Sequence, residues 1–232
     1  MVHRREIQGR EIVLGNHGAL FGNAMTWYDH ETGSVWSQPL GEAILGPLTG
    51  ARLELLPSTL TRWADWKAAH PGTHALDAPG GISGFDLDTM AVVVELGDAS
   101  VAHPVPDVRI AGVANTTVGD VPVAVHVAAD RDDWSVLSRT LDDRTVELEV
   151  VEAGEPGPTD DGSGTAGRTV LGEVGGPGRW DAASGLAVDG SGQNLDLLPG
   201  FTSFPRDYLT FFPSGAFWQP DGMVPAAEIL GG

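Results

Sequence analysis

The sequence predicts a mainly β protein with short helices, an α+β arrangement built from two related sheet-plus-helix units of which the first is N-terminally incomplete. Three observations predict it. Gly 32 and Pro 16 in 232 residues favour short strands and turns over long helices. Short alternating or apolar runs recur between Gly-, Asp- and Asn-containing turns. The third observation is internal spacing. "GSVWSQPLGEAILG" (33–46) echoes "PGRWDAASGLAVDG" (177–190), and "LLPSTLTRWADWKAAHPGT" (55–73) echoes "LLPGFTSFPRDYLTFFPSG" (197–215). Trp36 and Trp180 stand 144 apart (180 − 36), and Pro57 and Pro199 stand 142 apart (199 − 57). An offset held through several anchors marks two copies of one unit, expected at 1–80 and 81–232.

Taken in order, "REIQGREIVLG" alternates around Gln8–Gly9 and predicts a hairpin. "NAMTWYDHETGSVWSQ" reads as strand, turn at Glu31–Thr32–Gly33, strand, and "ARLELLP" as a further strand. "STLTRWADWKAAH" predicts a short amphipathic helix with Ser58 as N-cap, Leu60, Trp63 and Trp66 on one stripe, and an end before Pro71. Residues 77–88 form a linker by composition. "TMAVVVELGDASVAHPV" and "RIAGVANTTVGDVPVAVHVAAD" each read as strand, turn, strand, and "TVELEVVEAG" as a strand. The Gly/Pro-rich stretch 154–167 is expected to be a loop. "SFPRDYLTFF" should repeat the helix, with Pro205 in its first turn. The second unit carries about 90 residues ahead of its tryptophan and the first only 35 (36 − 1). The first unit is therefore expected to lack its leading strands and to carry an open sheet edge.

The 32 acidic residues against 13 basic ones, net charge −19, argue against nucleic acid and anionic membranes as partners. Lys67 is the single lysine, and the composition is that of a salt-adapted protein whose acidity maintains solubility. Without cysteine there is no disulfide, thiolate metal site or thiol nucleophile. "MVHRREIQGREIVLG" has no apolar core of a signal peptide, and no apolar run reaches the length of a membrane span, so the chain as given is expected to be soluble.

Chemistry-bearing residues concentrate in 15–48. His17, Met25 and His30 offer imidazole and thioether donors that suit copper, or zinc through the imidazoles. Against this stand the wide spacing and the position of Met25 on an aromatic strand, which favours a core methionine. Trp36 and Gln38 share a strand face and could line a pocket; the echo keeps the tryptophan (Trp180) but not the glutamine, so Trp36 reads as packing. Asp29 with Glu31 or Glu42 could form a carboxylate pair, but Asp29 better serves the Thr32–Gly33 turn. His70 reads as a helix end, and His3 and His74 as exposed. "DGSGQNLDLLPG" (189–200) and "DDGSG" (160–164) resemble calcium loops without the ligand order. Gly-x-Ser-x-Gly and phosphate-loop motifs are missing from the sequence.

Residues 15–73 resemble the domain of unknown function 3179 family of bacteria and archaea. The resemblance is carried by Gly18, Met25, Tyr28–Asp29, Thr32–Gly33–Ser34, Trp36–Ser37–Gln38, the segment 41–47, Leu56–Pro57, Thr61, Trp63, Trp66 and His70–Pro71. "ANTTVGDVPVAV" is similar to the family's Asn-x-Thr-Val-Gly-Gly segment, with Asp120 for the second glycine. The family's upstream Cys-Pro-Leu-Cys-type segment and its frequent export signal or lipid anchor are not found here. The resemblance implies an extracellular or cell-envelope setting, otherwise a cytoplasmic one, and no established activity. The expectation is a non-catalytic binding or assembly module, a homo-oligomer or one with a protein partner, pairing through the open edge. The alternative is a small-molecule or metal-dependent enzyme or metal-binding protein with its site at His17, Asp29, His30, Trp36 and Gln38. The sequence requires no cofactor; copper, zinc or calcium are the candidates.

Overall fold

A computed structural model describes residues 1–74, 86–130, 132–153 and 169–230. The 154–167 loop and most of the 77–88 linker fall outside them. In chain order the strands are β1 (Glu6–Ile7), β2 (Arg10–Glu11), β3 (Leu14–Phe21), β4 (Ala24–Asp29), β5 (Val35–Ser37) and β6 (Glu42–Leu45), followed by α1 (Trp63–Ala69). After a 3-10 turn at Leu87–Thr89 come β7 (Ala91–Leu96), β8 (Ala99–Pro104), α2 (Val105–Ala111), β9 (Val113–Val118), β10 (Val121–Val127), β11 (Trp134–Ser138), β12 (Thr140–Leu141), β13 (Arg144–Thr145) and β14 (Leu148–Ala153). The chain ends with β15 (Thr169–Glu173), β16 (Arg179–Asp181), β17 (Phe201–Ser203), α3 (Pro205–Phe211), β18 (Ala216–Gln219), β19 (Gly222–Pro225) and α4 (Ala226–Leu230). The protein is mainly β, as its turn chemistry predicts.

Four sheets dominate: β3-β4-β5-β6, β17-β7-β8-β18-β19, β11-β10-β9 and β14-β15-β16. The run "AVVVEL" of β7 is buried on both faces because it lies between two apolar layers. Val92 and Val94 join α2 and the β9–β11 sheet in one core cluster. Ala91 and Val93 face the other way, toward Phe201, Tyr208 and Phe217. The far side of the β9–β11 sheet supplies Val113, Ala124 and Leu137 to a third cluster with Leu148, Leu171, Trp180 and Leu195. The N-terminal sheet has a smaller cluster of Ile12, Trp36, Ala43 and Leu53.

The Gln8–Gly9 hairpin forms, with both turn residues at positive φ (53° and 74°), as a two-residue turn of this twist requires. Several local expectations are corrected. Residues 51–57 make isolated bridges through Arg52, Leu55 and Pro57 in place of a strand. The first helix starts at Trp63 with Arg62 as N-cap and no side-chain cap, so Ser58 is not the cap. The helix α2 is not announced by the sequence because "VPDVRIA" is too short for a periodic signal; Pro106 and Asp107 in its first turn are its local start signals. Met25 is 41% exposed and not a core residue. His3 is partly buried.

Equal pairings recur across the chain. Trp27↔Trp36 and Trp36↔Ala43 have counterparts 144 residues on (171 − 27, 180 − 36, 187 − 43) in Leu171↔Trp180 and Trp180↔Ala187. Leu14↔Asp29 matches Leu148↔Glu173. The helices α1 and α3 start 142 residues apart (205 − 63). Their N-cap residues have φ/ψ of −67°/142° and −65°/140°, and their C-cap residues −128°/70° and −129°/61°.

Candidate functional site

Asp29 ends β4 and is fully buried. Its carboxylate accepts the indole N–H of Trp36 at 2.9 Å, the Thr32 hydroxyl at 2.9 Å and the Thr32 N–H. Burial alone would raise its pKa, but the Trp36, Thr32 and Ser34 hydrogen bonds together hold the carboxyl below its ordinary value. A carboxylate engaged in this way orders the turn and fastens the tryptophan. Trp36 is fully buried between Ala43 and Leu53 in the core.

The other predicted residues do not converge. His17 lies on β3 with Nδ1 3.1 Å from Thr26 Oγ1. Met25 neighbours Thr26 in β4 and points to the opposite face. His30 lies four residues beyond Thr26 (30 − 26), roughly 13 Å along the strand direction, with its ring stacked on Tyr28 at 5.0 Å. His17, Met25 and His30 therefore do not surround one point. Gln38 follows β5 and donates its backbone N–H to Met25 O at 3.2 Å. Among the described residues no three His, Asp or Glu side chains are grouped to hold a metal.

A cleft of about 200 Å³ does join the N-terminal sheet to β7–β8, lined by His3, Leu53, Leu55, Arg52, Glu95 and Pro199 among others. Arg52 is occupied there, donating to Glu42 at 2.9 Å and Glu95 at 3.3 Å. Burial raises the Glu95 pKa against the pull of Arg52. Burial also lowers the His3 pKa to about 4, so its ring is neutral at pH 7. With its one guanidinium already paired, the cleft offers no free charge to a ligand.

The more informative surface is what lies open on the N-terminal region. In α3, Tyr208 is fully buried; its hydroxyl meets Ser100 Oγ, the Ser100 and Ala216 carbonyls and the Ala216 N–H, each at 3.1 Å. At the matching position of α1, Trp66 is 39% exposed and its indole N–H reaches only Thr73 Oγ1, within its own segment. Trp63 is 47% exposed, with the Lys67 ammonium 5.9 Å from its ring centroid. Of the predicted stripe only Trp63 and Trp66 lie on α1; Leu60 precedes the helix, bridges Trp134 and packs against the core that holds β7 to β11. In the sheet, β3 is an outer strand; Leu20, 69% exposed, pairs with exposed Met25. The irregular register between Asn16 and Leu20 twists this edge.

Two residues that sequence reasoning passed over prove central to the C-terminal region. Arg139 is buried and gives hydrogen bonds to three carbonyls, and Asn115 ties β9 to β14. An arginine in a turn-rich segment carries no sequence mark of burial; Asn115 lay in the motif carrying the family resemblance, without a role. Compared with known proteins, residues 1–89 match the model of the family described as Protein of unknown function (DUF3179). No curated protein and no solved structure matches the chain. No described helix is long and apolar enough to cross a membrane.

Proposed function

We propose that this chain, whose residues 1–89 match the model of the family of unknown function DUF3179, is a non-catalytic binding or assembly module. It comprises two copies of one sheet-plus-helix unit, and the first copy is where it meets other polypeptides. The observation that carries this reading is the contrast between α1 and α3. The two helices share length and flanking backbone angles. The α3 face is covered by β7, β8 and β17, while Trp63 and Trp66 of α1 stay exposed. An outer strand with exposed apolar side chains such as Leu20 suits strand addition by another chain, and the exposed Trp63 and Trp66 of α1 offer a separate apolar surface. The net charge of −19 keeps such a surface soluble between encounters.

Self-association to a dimer or larger is the expected form. Sedimentation velocity in high salt, over a wide concentration range, should show association, with amide exchange in β3 slowing as it proceeds. A strict monomer at the highest concentration, with β3 exchange unchanged, overturns self-association.

A further inference from the structure

We infer that β18, β19 and α4 form a flap, hinged at Ala216, that opens when the buried ring of His103 takes up a proton. The inference goes beyond the assembly reading and does not depend on it.

The register of β8 sets the site. His103 pairs with Val92 of β7 and shares a strand face with Val101, toward the core that α2 and the β9–β11 sheet complete. Its side chain is fully buried, with Nδ1 3.1 Å from Val92 O. A carbonyl only accepts, so Nδ1 carries the hydrogen of the neutral ring and Nε2 is left as a lone pair. Nε2 is buried and has no hydrogen-bond partner among the described residues. A second proton must go there, and it arrives as a charge with nothing to accept it. Burial accordingly lowers the His103 pKa to about 4, although the Val92 and Val101 carbonyls favour the proton. The charged groups of the surrounding elements are engaged or face outward. Glu95 of β7 accepts from Arg52, and Asp88 accepts from Arg109 of α2. Asp107 of α2 is partly exposed, and Asp98, Asp221 and Glu228 are exposed. His126 lies on the opposite face of β10 from Val125 and Val127, its Nδ1 2.9 Å from Gly112 O.

Water must therefore solvate the imidazolium, and the flap stands in its way. Strand β18 runs parallel to β8 through Ala216↔Val101 and Phe217↔Ala102, which brings Trp218 abreast of His103. The two rings stack with centroids 6.3 Å apart and planes 28° apart. Trp218 is 8% exposed, so it forms the wall between the imidazole and solvent. The pairing of β18 with β8 stops at those two residues, and β19 beyond it is the outer strand of the sheet. The hinge is firm. Ala216 N–H donates to the Tyr208 hydroxyl at 3.1 Å, Phe217 packs edge-on against the Tyr208 ring at 5.1 Å, and Ala226 N–H donates to Gly215 O at 2.8 Å. The far end of the hairpin is held more weakly, by the Thr116 hydroxyl donating to the Met223 sulfur at 3.7 Å. Swinging the hairpin about Ala216 gives the protonated ring water while the β9–β11 sheet stays in place. The closed state holds the neutral ring and the open state the protonated one, so pH sets their balance.

The test is amide hydrogen exchange on the full chain at pH 7 and pH 5, with the intrinsic exchange rate at each pH divided out. The protected amides of β18 and β19 should exchange faster than those of β10, which marks an opening short of unfolding. Their protection should fall about 20-fold from pH 7 to pH 5, the factor set by a ring whose pKa is 6.5 when open and about 4 when closed. In a His103→Gln chain, whose fold circular dichroism verifies, the same amides should keep one protection factor at both pH values. Flap amides as protected as those of β10, or equally protected at pH 7 and pH 5, overturn the inference; both are read on the unmodified chain and stand even where the variant does not fold. A fall that persists in folded His103→Gln assigns the opening to another group and overturns it as well.

Discussion

The helices α1 and α3 differ less in shape than in company. Each spans seven residues, each begins after an extended residue, and each ends on an aromatic or imidazole ring. Yet Tyr208 of α3 is fully buried, while Trp66 of α1 is 39% exposed. The difference lies in what surrounds them: β7, β8 and β17 lie against α3. A local sequence can set where a short helix starts and stops, but its apolar face contributes stability only when another layer removes it from water. The same contrast separates Arg139 from Arg5, one buried among carbonyls and the other in a surface ion pair worth little.

The largest effect expected from this contrast is at the helices. Tyr208→Ala should cost about 3–5 kcal/mol, since it removes a buried ring and strands its hydrogen-bond partners. Trp66→Ala should cost under about 1 kcal/mol. Denaturant unfolding of both variants measures the gap, and equal losses would mean that α1 is covered as α3 is.

Next comes acid sensitivity. His103 of β8 is fully buried, and burial lowers its pKa to about 4 from an ordinary 6.5. The folded state disfavours the proton that the unfolded state accepts. Stability is therefore full above pH 6.5, declines as pH falls toward 4, and is lower by about 3 kcal/mol below that. His103→Gln should flatten this part of the stability–pH curve. His3→Gln should flatten it less, because that ring in the N-terminal region is only partly buried. Unfolding midpoints measured between pH 4 and 7 decide which region carries the acid sensitivity.

A smaller effect sharpens the comparison of the two tryptophans. Trp36 gives its indole N–H to the Asp29 carboxylate, whereas Trp180 gives its own to Gln193 O at 2.8 Å. Asp29→Ala should cost about 2 kcal/mol and loosen the 29–34 turn. Protection from amide exchange should fall at residues 32–36 and stay unchanged around Trp180.

The smallest effect is at the exposed histidines. His17→Ala and His30→Ala should each shift stability by less than about 0.5 kcal/mol. Copper or zinc present in stoichiometric amount and lost with either change, measured by elemental analysis of the purified protein, would return the metal reading to consideration.

Much of the fold was legible because it is local. Gln8–Gly9, the Thr32–Gly33 turn and the paired valine runs of β7 to β10 announce themselves through turn chemistry and apolar runs. The role of Asp29 in its turn was legible for the same reason: its partners lie within seven residues. Met25 was misjudged because alternation tells which residues share a face and not which face is covered. Residues 51–57 look like a strand by composition, but their partners are scattered single residues such as His3, Glu42 and Pro199. The candidate metal residues looked close in sequence, but an extended strand carries His30 far from Thr26 and His17.

By itself the sequence determined the class of fold, the turns, the presence of two short helices that end before Pro71 and Pro213, and the recurring spacing of Trp36, Pro57, Trp180 and Pro199. These follow from backbone preferences and apolar patterning within a few residues. Only the tertiary structure decided that Tyr208, Arg139 and Asn115 are buried or bonded across layers while Trp66 and Arg5 stay exposed. Burial is a property of two surfaces brought together, and no stretch of chain encodes its cover.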